Sequence, residues 1–269
     1  MSDTRPVVRL LEALLWQRFR ARGWKMFLVP VGFGVFFVGI TILTSQSPET
    51  LTPSTRAAVE RQIELYFTNV ENVTGDIFGL ALFLLQGPYL LGVFGGILGV
   101  RVGQRVASAL VDSGQFELLL SAPYGPKDVF LALLGTTMLL TGLHVVVFAA
   151  ISIGGPLAYL LANDILLTSN VNDLALVGFL LPIPLALWAN VVVILNSMGI
   201  GGDRLQGAED VITLLGIIPG VILILTINIW PGVNVLYLSG GALGIAILAV
   251  ISCLYWVTNN FTVERILPE

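Results

Sequence analysis

The chain has 269 residues, of which 56% are hydrophobic and only 11% charged, with a formal net charge of −4. A water-soluble domain carries about a quarter charged residues, so this composition excludes an ordinary soluble fold. Long uncharged runs of about twenty residues recur along the chain, which points to an all-α, polytopic membrane protein; a β-barrel shows alternating segments of about ten residues instead.

The first predicted element is an interfacial helix over residues 7–25. At helical spacing Val7, Val8, Leu10, Leu11, Leu14, Leu15 and Phe19 share one wide face, while Arg9, Glu12 and Arg20 lie opposite with Trp16 among them. A strongly amphipathic helix carrying Arg and Trp suits a membrane surface. Arg18 interrupts the apolar face and is read as a snorkelling side chain. The start has no small-residue cleavage pattern, so no cleaved signal peptide is expected.

Six apolar spans follow, at about 26–44, 77–100, 129–152, 174–198, 211–229 and 235–257. None contains Asp, Glu, Lys or Arg. One such charge at mid-membrane costs on the order of 2.5 kcal/mol, so the clean partition supports these boundaries. Six spans put both termini on one side. That side collects eleven of the thirteen basic residues: Arg5, Arg9, Arg18, Arg20, Arg22, Lys25, Arg101, Arg105, Lys127, Arg204 and Arg265. The other side holds Arg56 and Arg61 among Glu49, Glu60, Glu64, Glu71 and Asp76. Basic residues mark the cytoplasmic face, so the expected location is the cell membrane with both termini cytoplasmic.

The external loop, residues 45–76, is punctuated by Pro48 and Pro53. Ser54 suits the cap of a short helix reaching about Phe67, with Val59, Ile63 and Tyr66 or Phe67 on one face. Asn72-Val-Thr74 fits a glycosylation triplet of the kind that chance also produces. In the second span Gly92, Gly95, Gly96, Gly99 and Gly103 give small-xxx-small spacings, read as a helix-packing seam; Gly240, Gly241 and Gly244 repeat the pattern in the last span. Pro182 and Pro184 in the fourth span and Pro219 in the fifth predict kinks or irregular turns. Trp230-Pro231-Gly232 makes the last turn and places a Trp at the interface.

The connection over residues 101–128 is the most informative stretch. Arg101 and Arg105, four apart, suit phospholipid headgroups or helix C-terminal carbonyls. Asp112 and Gln115 have capping-box-like spacing ahead of a short helix over about 115–120, with Pro123 beyond it. Phe116, Leu119 and Leu120 are its apolar anchors, Glu117 its charge, and Gly125-Pro126 restarts the chain into the third span. Its apolar residues either meet a soluble partner or fold back onto the membrane.

Much chemistry is absent. A phosphate loop needs Gly-Lys-Ser/Thr, but Lys25 follows Trp24 and Lys127 follows Pro126. No nucleotide site and no cofactor on this chain is therefore expected. One His cannot build a His-rich metal site, and the lone Cys253 forms no intrachain disulfide. His144, in the third span, is read as a neutral side chain bonded to a neighbouring helix; a substrate contact is the alternative. Ser152, Asn190, Asn196 and His144 form no recognisable catalytic set.

The run Gly114-Gln-Phe-Glu117-Leu-Leu-Leu-Ser121-Ala-Pro123, followed by Lys127-Asp-Val, resembles the connection between spans two and three in permeases of the type-2 ABC-exporter family. Gln115 stands where that family commonly has Thr, and Gly125-Pro126 replaces a more basic turn. The resemblance extends to the plan of an amphipathic N-terminal helix, six spans and a short tail. It implies that the connection is a coupling helix docked on a cytosolic ATPase, which carries the ATP and Mg, with the interfacial helix contacting the same subunit. The implied contacts are Arg105, Phe116, Glu117, Leu118, Leu119, Leu120, Pro123 and Lys127, and Arg9, Leu11, Leu15 and Arg20 on the interfacial helix. Six spans are half a pore, so a second permease chain, identical or paralogous, is implied. No catalytic role and no nucleic-acid partner is expected. The competing readings are an ATP-independent secondary transporter or channel, a membrane-embedded enzyme, and an accessory subunit without a path.

Overall fold

A computed structural model describes residues 5–45, 53, 57, 60, 63–64, 67–68, 75–115, 118–119, 124–162, 166–168, 178, 180–197, 209–229 and 235–260. Nearly all of these are helical. The elements run α1 (Arg5–Arg22), a 3-10 turn (Gly23–Phe27), α2 (Leu28–Ser45), β1 (Phe67–Thr68), α3 (Gly75–Asp112), α4 (Pro126–Ser152), α5 (Gly154–Ala162), β2 (Leu166–Leu167), α6 (Pro182–Ser197), α7 (Glu209–Ile229) and α8 (Val235–Asn260). Among the described residues four helical stretches are long and apolar enough to cross a membrane: Pro6–Gly39, Tyr89–Ala107, Lys127–Tyr159 and Tyr237–Asn259. The first joins α1 to most of α2 through the turn. Thus four of the six spans expected from sequence meet that test by length and composition. Pro182–Asn196 is apolar but shorter.

The described chain divides into two compact units. The first contains residues 1–25, 92–143 and 182–269; the second contains residues 26–91 and 144–181.

In the first unit α6 is the hub, packed against both α7 and α8. Leu185, Ala186, Ala189, Val191, Val193 and Ile194 are all buried, around most of the helix, while Ile183 in its first turn is exposed. A helix apolar nearly all round belongs inside a cluster, and that is where α6 lies. Its first residue is Pro182, following a turn at Leu181. Proline suits the first helical position because its missing N–H has no intrahelical acceptor there. The expected irregularity at Pro182 is therefore a helix start. Pro184 lies inside the first turn, and α7 stays helical through Pro219.

The glycine pattern of the second span is a packing seam within the chain. A Cβ on Gly95 would lie 2.9 Å from Pro182 Cβ, and one on Gly99 would lie 3.1 Å from both Ala186 O and Ala189 Cβ. A Cβ on Gly103 would meet Val193 Cγ1 at 3.1 Å and Asn190 Oδ1 at 3.2 Å. Three glycines four apart thus form a groove on α3 that seats successive turns of α6. Gly216 of α7 closes the cluster against Val100 and Ala189. The Trp188 Nε1–H donates to Leu215 O at 3.1 Å, joining α6 to α7. The last-span glycines differ: among the described residues nothing lies within 4 Å of a Cβ on Gly240, Gly241 or Gly244.

In the second unit α2 packs on α4. A Cβ on Gly34 would fall 2.9 Å from Ile151 Cγ2, and Phe37 meets Phe148 edge-on with ring centroids 6.0 Å apart. His144 Nε2 lies 3.1 Å from Met26 O, whose carbonyl only accepts, so Nε2 carries the proton. This bears out a histidine bonded to a neighbouring segment. Two features were not expected. Residues of the loop after α2 and of the loop after α5 pair antiparallel, Phe67 with Leu167 and Thr68 with Leu166. In the predicted external helix, Pro53, Ala57, Glu60, Ile63 and Glu64 are helical, with Ile63 buried and Glu60 and Glu64 exposed; Phe67, also buried, is in β1 instead. Val59, Tyr66 and the triplet at Asn72 lie outside the described residues, as do Trp230 to Gly232.

Three buried hydroxyls on the apolar helices are met within their own helix. The hydroxyls of Thr136, Thr137 and Ser152 each donate to a carbonyl one turn back, at 2.7 to 3.0 Å. This removes the cost of burying them. Ser152 bonds its own helix, His144 bonds Met26 O, and Asn190 Nδ2 contacts Met138 Sδ at 3.2 Å.

Candidate functional site: the turn after the long third helix

The sequence places the end of the second span near Val100. The structure instead continues α3 to Asp112, 38 residues in all. At 1.5 Å per residue that is about 57 Å, almost twice a hydrocarbon core of about 30 Å. Arg101 and Arg105, which the sequence reading puts in the connection after the span, therefore lie on the same continuous helix. They are exposed, while Val102, Val106, Ala107 and Leu110 are buried on the opposite stripe.

The helix stops by a recognisable device. Gly114 has φ +66°, a left-handed conformation that costs other residues a Cβ clash. The Ser113 hydroxyl donates to Ala109 O at 2.6 Å, one of the last carbonyls without an intrahelical partner. Asp112 is thus the last residue of α3, which corrects its expected role in opening the next helix with Gln115. After the reversal, Leu118 N–H donates to Gly114 O at 3.4 Å, and Gln115, Leu118 and Leu119 are helical. The predicted short helix is present at these residues. Phe116, Glu117, Leu120 and Pro123 lie outside the described residues.

The restart at α4 is capped as its residues dictate. Asp128 and Val129 N–H both donate to Gly125 O, at 2.9 and 3.1 Å, and Gly125 N–H donates to Asp128 Oδ2 at 3.2 Å. Gly125 is the N-cap, Pro126 the first helical residue, and Asp128 the reciprocal acid of a capping box. Lys127 is exposed beside it.

Helix α1 closes one side of this region. Leu10 and Leu14 are buried, and Leu11 Cδ1 would lie 2.6 Å from a Cβ on Gly135 of α4. The apolar face of α1 is thus split: Leu10 and Leu14 turn inward, while Val8 and Phe19 remain exposed, along with Trp16. Arg9, Glu12 and Arg20 are exposed as expected, and Leu15 is half-buried. Arg18, expected to snorkel, donates from Nη2 to Val106 O at 3.0 Å. Gln17 Nε2 donates to Gln115 Oε1 at 3.0 Å, joining α1 to the segment beyond Gly114. Between them lies an open groove of about 240 Å³ lined by Leu10, Leu14, Gln17, Leu110, Gln115 and Leu119. Leu118 projects at its edge, 69% exposed. The structure therefore brings together α1, Leu118 and Leu119; Arg105 lies on the helix that feeds them. Gln17 is the participant that sequence reading missed, because an exposed Gln on a polar face carries no signal until its partner is known.

No protein-family model, no curated protein and no solved structure matches this chain.

Proposed function

We propose that the chain is the transmembrane permease subunit of an ATP-driven exporter resembling the type-2 ABC family. It has six spans and both termini in the cytoplasm, and it forms half of a path with a second permease chain. The observation that carries this reading is the joining of α1 to the turn after α3 through the Gln17–Gln115 hydrogen bond. Two elements distant in sequence thereby present one apolar surface, with exposed Leu118 at its edge. A cytosolic ATPase gripping such a surface would push on α3 and α4 together.

Topology supports the plan. Paired residues cannot lie on opposite sides of a bilayer. The α1 bonds to Gln115 and Val106 need an even number of crossings between them, and α2 with α3 supplies two. The β1–β2 pair likewise needs an even number, supplied by α3 and α4. The spans at α6 and α7 complete six. Because α6 is encased by neighbouring helices, it need not match the full bilayer thickness by itself.

The test is to search beside the gene for a phosphate-loop ATPase, coexpress the chain with it, and measure copurification, ATP hydrolysis and transport in liposomes. Phe116→Ala, Glu117→Lys or Leu119→Asp is expected to weaken ATPase binding or to leave hydrolysis without transport. Wild-type assembly and wild-type transport in all three variants would overturn the reading. Transport by the chain alone, without ATP, would assign it to the secondary transporters.

A further inference from the structure

Four arginines converge where α1 meets α3. Arg18 and Arg22 are one turn apart on α1; Arg101 and Arg105 are one turn apart on α3. The bond from Arg18 to Val106 O holds the two helices in this register. Arg22 lies close enough to repel the charge on both Arg18 and Arg105, and Arg101 acts on Arg105 in the same way. Among the described residues no carboxylate pairs with any of the four. Asp128, the acid opening α4, is committed to Gly125 N–H. Gathering four like charges is unfavourable unless an anion joins them.

The location selects the anion. The cluster begins at Arg101, directly after the apolar run Leu98-Gly99-Val100, at the level where a span would leave hydrocarbon for headgroups. Trp16 and Trp24, each 69% exposed, flank it on the α1 side, as aromatic residues do at a membrane boundary. Guanidinium presents a planar fork that matches phosphate oxygens bidentately. We propose that Arg18, Arg22, Arg101 and Arg105 form a binding site for the phosphate of an acidic phospholipid headgroup, which locks α1 onto α3. The inference rests on the membrane location of the chain and not on any ATPase.

The experiment uses the full-length protein in neutral-detergent micelles, titrated with phosphatidylglycerol against phosphatidylcholine and read by native mass spectrometry. Arg101→Gln/Arg105→Gln removes two exposed charges of the cluster and leaves the Arg18 bond intact. Arg9→Gln/Arg20→Gln removes two exposed charges from α1 outside it. At about fivefold per guanidinium, the first pair is expected to lose about 25-fold in phosphatidylglycerol affinity. The second pair should lose less than about threefold, and both should keep the wild-type melting temperature. Equal losses from the two pairs would mean diffuse surface attraction and overturn the site. So would equal affinity of the wild type for the two lipids. Displacement of the lipid by millimolar inorganic phosphate would identify a free phosphate ligand and overturn the lipid assignment. Unchanged lipid binding with lost ATPase capture in the first pair would place a protein on the cluster, with the same consequence.

Discussion

Gly95→Ala tests the packing of the first unit most directly. An alanine Cβ there would lie 2.9 Å from Pro182 Cβ, 3.0 Å from Pro182 Cα and 3.1 Å from Pro182 O. Carbon contacts are optimal at about 3.5–4.0 Å, so the new methyl overlaps three atoms at once. All three belong to backbone or to a closed ring, so no rotamer change relieves them. Overpacking of this kind costs about 1–3 kcal/mol, and a site without relief belongs near the upper end. Replacing Gly by Ala in a helix interior returns about 1 kcal/mol. The net expectation is a loss of about 2 kcal/mol, or roughly 30-fold in the folding equilibrium. Gly244→Ala is the reference, since nothing lies within 4 Å of its Cβ position and only the helix-forming gain of about 1 kcal/mol acts. Gly99→Ala, with contacts of 3.1–3.2 Å, should fall between them, and Gly96→Ala, nearest neighbour 3.8 Å away, should resemble the reference. The assay is reversible unfolding in mixed micelles, followed by tryptophan fluorescence. If Gly95→Ala is as stable as Gly244→Ala, α6 does not seat on the Gly95–Gly99–Gly103 groove and the packing argument fails.

His144→Phe leaves the Met26 carbonyl unpaired at the turn before α2, and should cost about 1–3 kcal/mol in the same assay. His144→Gln keeps a donor near the Nε2 position and is expected to recover most of that loss; equal stability of the two variants would show that the bond contributes nothing. In a Cys253→Ser background, Thr68→Cys with Leu166→Cys should form a disulfide under mild oxidation, because antiparallel partners sit about 4.5–5.5 Å apart at Cα. Both cysteines should also react with an impermeant thiol reagent from the same face of sealed vesicles. Labelling from opposite faces would refute both the pairing and the crossing count.

The elements legible in the sequence are those fixed by local chemistry. Apolar runs gave the helices at residues 28–45, 126–152 and 235–260 to within a few residues, because length and uncharged composition alone define such segments. The α4 restart was readable from Gly125 and Pro126, whereas the bond from Gly125 N–H to Asp128 that caps it appeared only in the structure. The glycine series in the second span suited a close helix approach, since small residues at every fourth position let two backbones meet. It did not name α6 as that partner, and among the described residues nothing lies within 4 Å of a Cβ on the glycines of the same pattern in α8.

What the tertiary structure decided lies where distant segments compete for the same residues. The sequence ended the second span at Arg101 because charges leave hydrocarbon there. The helix nevertheless continues to Asp112, since Val102, Val106 and Leu110 keep a buried stripe and backbone hydrogen bonding needs no membrane to persist. Arg18 looked like a flaw in the apolar face of α1 until Val106 O supplied its acceptor. The pairing of Phe67 and Thr68 with Leu167 and Leu166 is invisible in two dipeptides nearly a hundred residues apart. Composition and charge thus assigned a membrane-type helical chain. The site followed only from folding, when α1 met the end of α3 and Gly114 turned Gln115 back to Gln17. Local rules determine where helices form, whereas which faces meet depends on side chains that find their partners only in three dimensions.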